Sequence, residues 1–186
     1  NGFAFIVDHG KEVVTVTAAI AAGMMYYSNQ QKIANAITIA SAAAQKVYAA
    51  VADQDNCWYL STDLCPIHRH KVIEEMKRRL KAGETCRVVS TSIISVGVDI
   101  DFPVVYIEET GIDSLIQGGG RCNREGKHPL EESIVHIFQT EESQKSRFLK
   151  QERQCTQLTK AFIPDEISSP NAIEYYFKHL YQAKEV

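Results

Sequence analysis

From residue 36 onward, apolar runs of five or six residues alternate with stretches whose apolar positions return every three or four residues. The runs are "AITIA" (36–40), "CWYLS" (57–61), "CRVVST" (86–91), "VVYIE" (104–108) and "SIVHIF" (133–138), rich in β-branched and aromatic residues and of strand length. Between the first two lies the helix former "SAAAQKVYAAVA" (41–52), with Ser41 as its cap. After the second, Pro66 suits a first helical position, and Ile73, Met76 and Leu80 recur at helical spacing. Lys77, Arg78, Arg79 and Lys81 crowd the last turn, where cations favour the helix dipole, and Gly83 stops the helix. Two further helices are expected at 142–162 and 170–183, separated by "IPDEISSP".

Strands alternating with helices predict an α/β fold with a mostly parallel sheet covered on both faces. The expected organisation is an unplaced segment at 1–32, one α/β domain at 33–141 and a helical C-terminal extension at 142–186. Residues 1–32 resist reading: "EVVTVT" alternates weakly like a strand, and the alanine-rich run after it suits a helix. The chain opens on "NGFAFIVDHG" without a methionine, which suggests a domain cut from a longer protein.

Composition narrows the function. With 186 residues, 45% of them hydrophobic, the chain is long enough for one full core, burying roughly 70% of its unfolded surface. A net charge of −3 gives no basic whole-surface field, so any nucleic-acid contact must be local. The five cysteines are odd in number, widely spread and form no Cys-x-x-Cys pair, which argues against a disulfide scaffold or a zinc ribbon. "CPIHRH" (65–70) lacks a second ligand cluster, so no metal site is expected. Free cysteines fit a reducing cytoplasm. The early apolar stretch "VVTVTAAIAAGMMYY" (13–27) contains Gly23 and falls short of the ~20 residues a membrane span needs.

In open α/β sheets ligands gather at the carboxyl ends of the strands, and two segments expected there carry unusual chemistry. In "STSIISVGVDIDFP" (90–103), Ser90 and Thr91 end a strand and an apolar turn leads through Gly97 to Asp99 and Asp101. Hydroxyls and backbone amides suit a phosphate and an aspartate suits a ribose, although the same aspartates read equally as turn caps. The second segment is "DSLIQGGGRCNREGK" (113–127), where Asp113 is placed to cap a helix beginning at Ser114. It is not a Walker loop: the step from Gly120 to Gly126 is one residue too long, and His128 follows Lys127 in place of Ser or Thr. What remains is Gln117, Gly120, Arg121 and Arg124. On a continuous helix Gln117, Arg121 and Arg124 would share a face, and two guanidinium groups beside an amide can grip a triphosphate from the side. A solvated arginine pair is the plainer reading. Three glycines weigh against it, since each costs on the order of 1 kcal/mol in a helix unless a close approach requires it.

In this order the segments resemble the second RecA-like domain of superfamily 2 helicases, with "STSIISVGVDIDFP" similar to motif V and "QGGGRCNR" to motif VI. Together with "YLSTDLCPIHRHKVIEEMKRRLKAG" and the tail "AIEYYFKHLY", they resemble the CRISPR-associated helicase-nucleases of type I systems over residues 36–140 and 170–182. The resemblance implies an ATP-dependent translocase or helicase on single-stranded DNA, acting in the prokaryotic cytoplasm with a CRISPR surveillance complex. It implies ATP and Mg2+ bound mainly by a first RecA-like domain, and a nuclease domain elsewhere. Arg124 would then be the arginine finger, supported by Arg121 and ordered by Gln117, while Gly97, Asp99 and Gly120 would face the nucleotide. Thr91 and Ser92 would hold the DNA backbone. Ser61, Thr62, His68 and Arg69 are further candidates for strand contacts, or equally for helix capping and solvated charge.

Departures stand beside the likeness. Ser92-Ile93-Ile94-Ser95-Val96-Gly97 replaces a Gln-Leu-Ile-Glu-Ala-Gly pattern of many relatives, Ile107 replaces an arginine, and Gly118 and Gly119 stand where alanine is expected. A Walker A lysine and a D-E-x-H box are absent from the 186 residues, which therefore hold half of an ATPase site. Other superfamily 2 helicases of RNA or DNA repair, and a non-catalytic binding module of the same fold, are the competing readings.

Overall fold

The computed structural model describes residues 4–7, 35–38, 43–53, 55–91, 99–140, 149–164 and 166–184. Their strands are β1 (Ala4–Val7), β2 (Asn35–Thr38), β3 (Cys57–Leu60), β4 (Arg87–Ser90), β5 (Val104–Glu108) and β6 (Ile134–Phe138). Helices α1 (Ala43–Val51), α2 (Pro66–Lys81), α3 (Ile112–Gly119), α4 (Lys150–Phe162) and α5 (Pro170–Lys184) accompany them. The six strands form one sheet in the order β1-β6-β5-β2-β4-β3, and each neighbouring pair is parallel. The fold is the α/β class expected. Residues 4–7, in the segment the sequence left unplaced, form an edge strand beside β6.

The apolar strand runs exist because both faces of the sheet are covered. On one face Leu60, Val88, Val105, Ile107, Val135 and Ile137 meet Val72 and Met76 of α2 and Leu115 of α3. On the other, Val89, Val104 and Tyr106 meet Ala44, Val47 and Val51 of α1. The alternation within β5 therefore splits its residues between two cores, and all five are buried. Helix α2 follows its sequence signals closely. Pro66 opens it, Arg78, Arg79 and Lys81 lie in its last turn, and Gly83 ends it with a left-handed φ of 66°. Arg79 also lies over the Trp58 ring, 5.1 Å from its centroid.

The C-terminal helices pack on α3. Tyr176 and Leu180 of α5, Cys155 of α4 and Ile112 of α3 form a third buried cluster, with Ile116, Ile173 and Phe177 against it. The Tyr176 hydroxyl donates to Asp113 Oδ1 at 3.1 Å. This corrects the expected role of Asp113. The helix begins two residues earlier, with extended Gly111 as its N-cap, so Asp113 sits inside the first turn and serves as a tertiary acceptor. A Cβ at Gly111 would run into Asp113 Oδ1 and the Tyr176 hydroxyl, so a larger residue there would have to displace this hydrogen-bonded pair.

Polar contacts fix α4 to the end of β5. Glu108 and Glu109 are each only 1% exposed. Lys160 Nζ pairs with Glu109 Oε1, and Gln157 and Gln139 donate to Glu109 Oε2. Thr140 donates to Glu108, and Thr156 Oγ1 donates to the carbonyl of Thr110 at 2.7 Å. Two adjacent buried carboxylates are tolerable only with such partners. The helix expected at 142–162 is corrected at its start: α4 begins only at Lys150, because Leu149 before it is left-handed at φ 55° and breaks the helical path. Residues 142–148, the cap Ser41 and the run "EVVTVT" lie outside the described residues.

Candidate functional site

Helix α3 leaves the carboxyl end of β5 and runs back across the sheet. It stops at Gly119, with Gly120 as its C-cap, so the helix does not continue through the arginines. This corrects the expectation that Gln117, Arg121 and Arg124 share a helical face. Gln117 is exposed on α3, Arg121 is half-buried in the turn after it, and Arg124 is exposed in the loop beyond. The helix stops because the chain finds other backbone partners. The Phe102 amide donates to the Arg121 carbonyl at 2.9 Å, and the Asn123 amide donates to the Phe102 carbonyl at 2.8 Å, a parallel bridge between Phe102 and Cys122. Gly118 and Gly119 are buried within this chain.

The arginine loop is closed on itself. Asn123, 4% exposed and left-handed at φ 46°, donates from Nδ2 to the His128 carbonyl at 2.8 Å. Its Oδ1 accepts from the His128 amide at 2.9 Å. Asparagine tolerates the left-handed region better than most residues, and its amide replaces a backbone pair. Gly126, at φ 66°, completes the turn. Two aspartates hold Arg124 from the other side: Asp101 Oδ1 accepts from its backbone amide at 2.7 Å, and Asp99 Oδ1 pairs with its guanidinium. Burial lowers the Arg121 pKa from its ordinary value, with help from the neighbouring Arg124 charge and opposed by Asp99. Burial also pushes the Cys122 thiol up to about 12, with the Asp101 carboxylate adding to the shift. Its Sγ faces the Pro103 carbonyl at 3.2 Å, and this thiol is structural.

Because every strand is parallel, residues before β5 lie at the amino edge of the sheet and residues after β3 and β4 lie at the carboxyl edge. Asp99, Asp101, Arg121 and Arg124 therefore gather at the amino edge. That corrects the expected carboxyl-edge placement of the arginine segment: α3 carries the chain back over the sheet before the arginines appear. Thr91, Ser61, Thr62, His68 and Arg69 collect at the carboxyl edge, about 16 Å away at ~3.3 Å per residue along a five-residue strand.

At the carboxyl edge the Thr91 amide donates to the Leu60 carbonyl at 3.0 Å, joining the ends of β4 and β3. Thr62 and His68 are exposed, and Arg69 and Thr91 are half-buried. Ser61 is different. It is fully buried, and its hydroxyl is engaged with the Asp63 carboxylate (3.1 Å) and the Asp63 amide (3.2 Å), which makes it a turn residue with no hydroxyl to offer a ligand. Ser92 and Gly97 lie outside the described residues. Among the described residues no cluster of metal-ligating side chains occurs, and no helix is long and apolar enough to cross a membrane.

Sequence reasoning passed over Asn123 and Glu109. Asn123 shows no signal beyond its place between two arginines, because its role depends on a backbone turn. Glu109 had one: two adjacent glutamates closing an otherwise apolar strand must either reach solvent or find buried partners.

Known proteins share this fold. Residues 27–127, just over half of the chain, match the family described as CRISPR-associated nuclease/helicase Cas3, C-terminal. A CRISPR-associated nuclease/helicase Cas3 from Methanothermobacter thermautotrophicus is 35% identical over 81 residues, 44% of this chain and 10% of that protein. The T. fusca Cas3-ATP crystal structure superposes with a TM-score of 0.75 at 16% identity, covering 97% of this chain and 24% of that one. Mss116p DEAD-box helicase domain 2, solved bound to an RNA duplex, superposes with a TM-score of 0.56 at 12% identity, covering 97% of this chain and 75% of its own. The chain thus spans a tenth of the curated relative and about a quarter of the Cas3 structure. Its sheet and flanking helices are those of a second RecA-like helicase domain, and the chain belongs to the C-terminal family of the CRISPR-associated nuclease/helicase Cas3.

Proposed function

We propose that this chain is the second motor domain of an ATP-dependent single-stranded-DNA translocase in CRISPR defence, and that it completes an ATP site whose larger half lies on a first RecA-like domain. Residues 33–141 act as the RecA-like unit, with 142–186 as a helical extension. The observation that carries the reading is the fixed arginine loop at the amino edge, placed a strand's length from the polar and cationic residues of the carboxyl edge. Arg124 is the finger on the γ-phosphate, Arg121 supports it with a half-buried charge, Gln117 helps order the site, and Asp99 and Gly97 face the nucleotide beside Gly120. Thr91, Thr62, His68 and Arg69 contact the DNA backbone with Ser92. Ser61 shapes that turn from beneath.

The donor set fits part of a nucleotide. Two guanidinium groups suit phosphate oxygens, and an exposed carboxylate between them suits a ribose hydroxyl. It does not fit all of one: no Walker lysine is present, and Asp99 and Asp101 are engaged with Arg124. When bound, Mg2+–ATP supplies the γ-phosphoryl group and its metal from the side of the other domain. This chain's part is to deliver charge to the transferring group and to sense the DNA strand at the opposite edge. The CRISPR surveillance complex is the partner that delivers DNA, a nuclease domain degrades it, and the setting is the prokaryotic cytoplasm.

The likeness to a DEAD-box domain solved on RNA favours one alternative, an RNA-stimulated motor. Comparing ATP turnover of the intact helicase on single-stranded DNA and on single-stranded RNA of matched length separates the two. The proposed function predicts stimulation by DNA, at least tenfold above RNA. Equal or greater stimulation by RNA would overturn it.

A further inference from the structure

We propose that Asp101 is the positioning residue for Arg124, fixing where the finger stands through its backbone; this rests on the reading of Arg124 as the finger. The two aspartates before β5 divide the work. Asp99, highly exposed, pairs with the Arg124 guanidinium itself and so occupies the group that an incoming phosphate must take. Asp101 does not touch the guanidinium. Its Oδ1 accepts from the Arg124 amide at 2.7 Å, a contact that survives when the side chain swings to a new partner.

Asp101 is well placed to act as a fixed post. It lies between Ile100 and Phe102, which are 3% and 0% exposed and anchor the stretch in the core. Its next neighbour, Phe102, makes both backbone bonds that align the arginine loop, to Arg121 and to Asn123. Those bonds stop one residue short of Arg124. The turn carrying Arg124 runs from left-handed Asn123 to left-handed Gly126 and is closed by the Asn123–His128 pair, which does not touch the Arg124 amide. Asp101 reaches past these bonds and accepts from the Arg124 amide. Loss of that bond leaves the guanidinium chemically intact but allows its base to move. Misplacement of a reacting group by about 1 Å is enough for a loss of roughly a hundredfold in rate.

The test compares D101A, D101N and R124A in the intact helicase, measuring DNA-stimulated kcat, KM for ATP and the thermal midpoint. D101A is expected to lower kcat by about ten- to a hundredfold, with KM within about twofold and the melting point within a few degrees. D101N keeps an oxygen acceptor for the Arg124 amide and is expected to stay within about threefold of wild type. Wild-type kcat in D101A, or D101N as slow as D101A, would overturn the positioning role, the second because charge and not the acceptor would then matter. A D101A protein that fails to fold also counts against it, because Asp101 would then hold the domain and not the arginine. If R124A itself turns over normally, the finger reading falls and the positioning role with it. A dead R124A beside an unimpaired D101A removes only the latter.

Discussion

Replacing Arg124 with alanine in the intact helicase is expected to lower DNA-stimulated ATP turnover by roughly 10³–10⁵-fold while nucleotide binding largely persists. At about 1.4 kcal/mol per decade, that is about 4–7 kcal/mol of transition-state stabilisation supplied by one side chain. The size follows from what a finger does. Charge accumulates on the transferring phosphoryl oxygens in the transition state, and a guanidinium held in place costs no reorganisation at that moment. On the proposed shared site, binding should persist because the triphosphate would be gripped mainly by the partner domain. Arg124→Lys keeps the charge but loses the planar fork, and its turnover should fall between alanine and wild type. The measurement is steady-state ATPase at saturating DNA, with nucleotide affinity determined separately. Unchanged turnover in R124A would remove Arg124 from the chemistry.

The largest stability effect is expected far from the arginines. Lys160→Met should destabilise the chain by about 3 kcal/mol in urea unfolding, because it strands the Glu109 carboxylate, 1% exposed, without its cation. The amides of Gln139 and Gln157 remain and soften the loss, which keeps it at the lower end for a broken buried pair. The double variant E109Q/K160M removes both charges. It should recover most of the loss, since a buried ion pair contributes little net stability over a neutral pair of similar shape. A K160M midpoint equal to wild type would mean that the glutamate reaches water in solution. The pair also ties α4 directly to the end of β5, so this substitution should loosen the C-terminal helices before the sheet.

Much of the fold was legible because its signals are local. The runs at 57–60, 87–90, 104–108 and 134–138 are apolar enough to be strands buried on both faces, and Pro66 and Gly83 punctuate α2 where the structure places its ends. The expected tail helices end and begin close to Phe162 and Pro170. What failed was nonlocal. Four residues at 4–7 become a strand only because β6, some 130 positions later, offers them an edge. Gln117, Arg121 and Arg124 have helical spacing, and nothing local ends the helix at Gly119 with certainty, since glycine is tolerated inside helices. The stop comes from Phe102 claiming the backbone of Arg121 and Asn123.

The residue types of the candidate site can be read from the sequence, but their place in the fold cannot. Residue types and motif order pointed to a phosphate-gripping arginine loop and a separate strand-contacting turn. Which edge each occupies depends on α3 returning antiparallel to β5, and spacing alone does not encode that. Ser61 illustrates the remaining gap. Its position beside Thr62 suited a ligand contact, yet burial and the Asp63 carboxylate claim its hydroxyl for the turn.

The central claim is that these 186 residues carry half of an ATP site, and ATP turnover by the purified chain tests it most directly. Saturating Mg2+–ATP and single-stranded DNA should yield no hydrolysis above background from the chain alone. DNA-stimulated turnover by the isolated chain would contradict the shared site, because a lysine and an acidic box for the phosphates and metal would then have to be found within it.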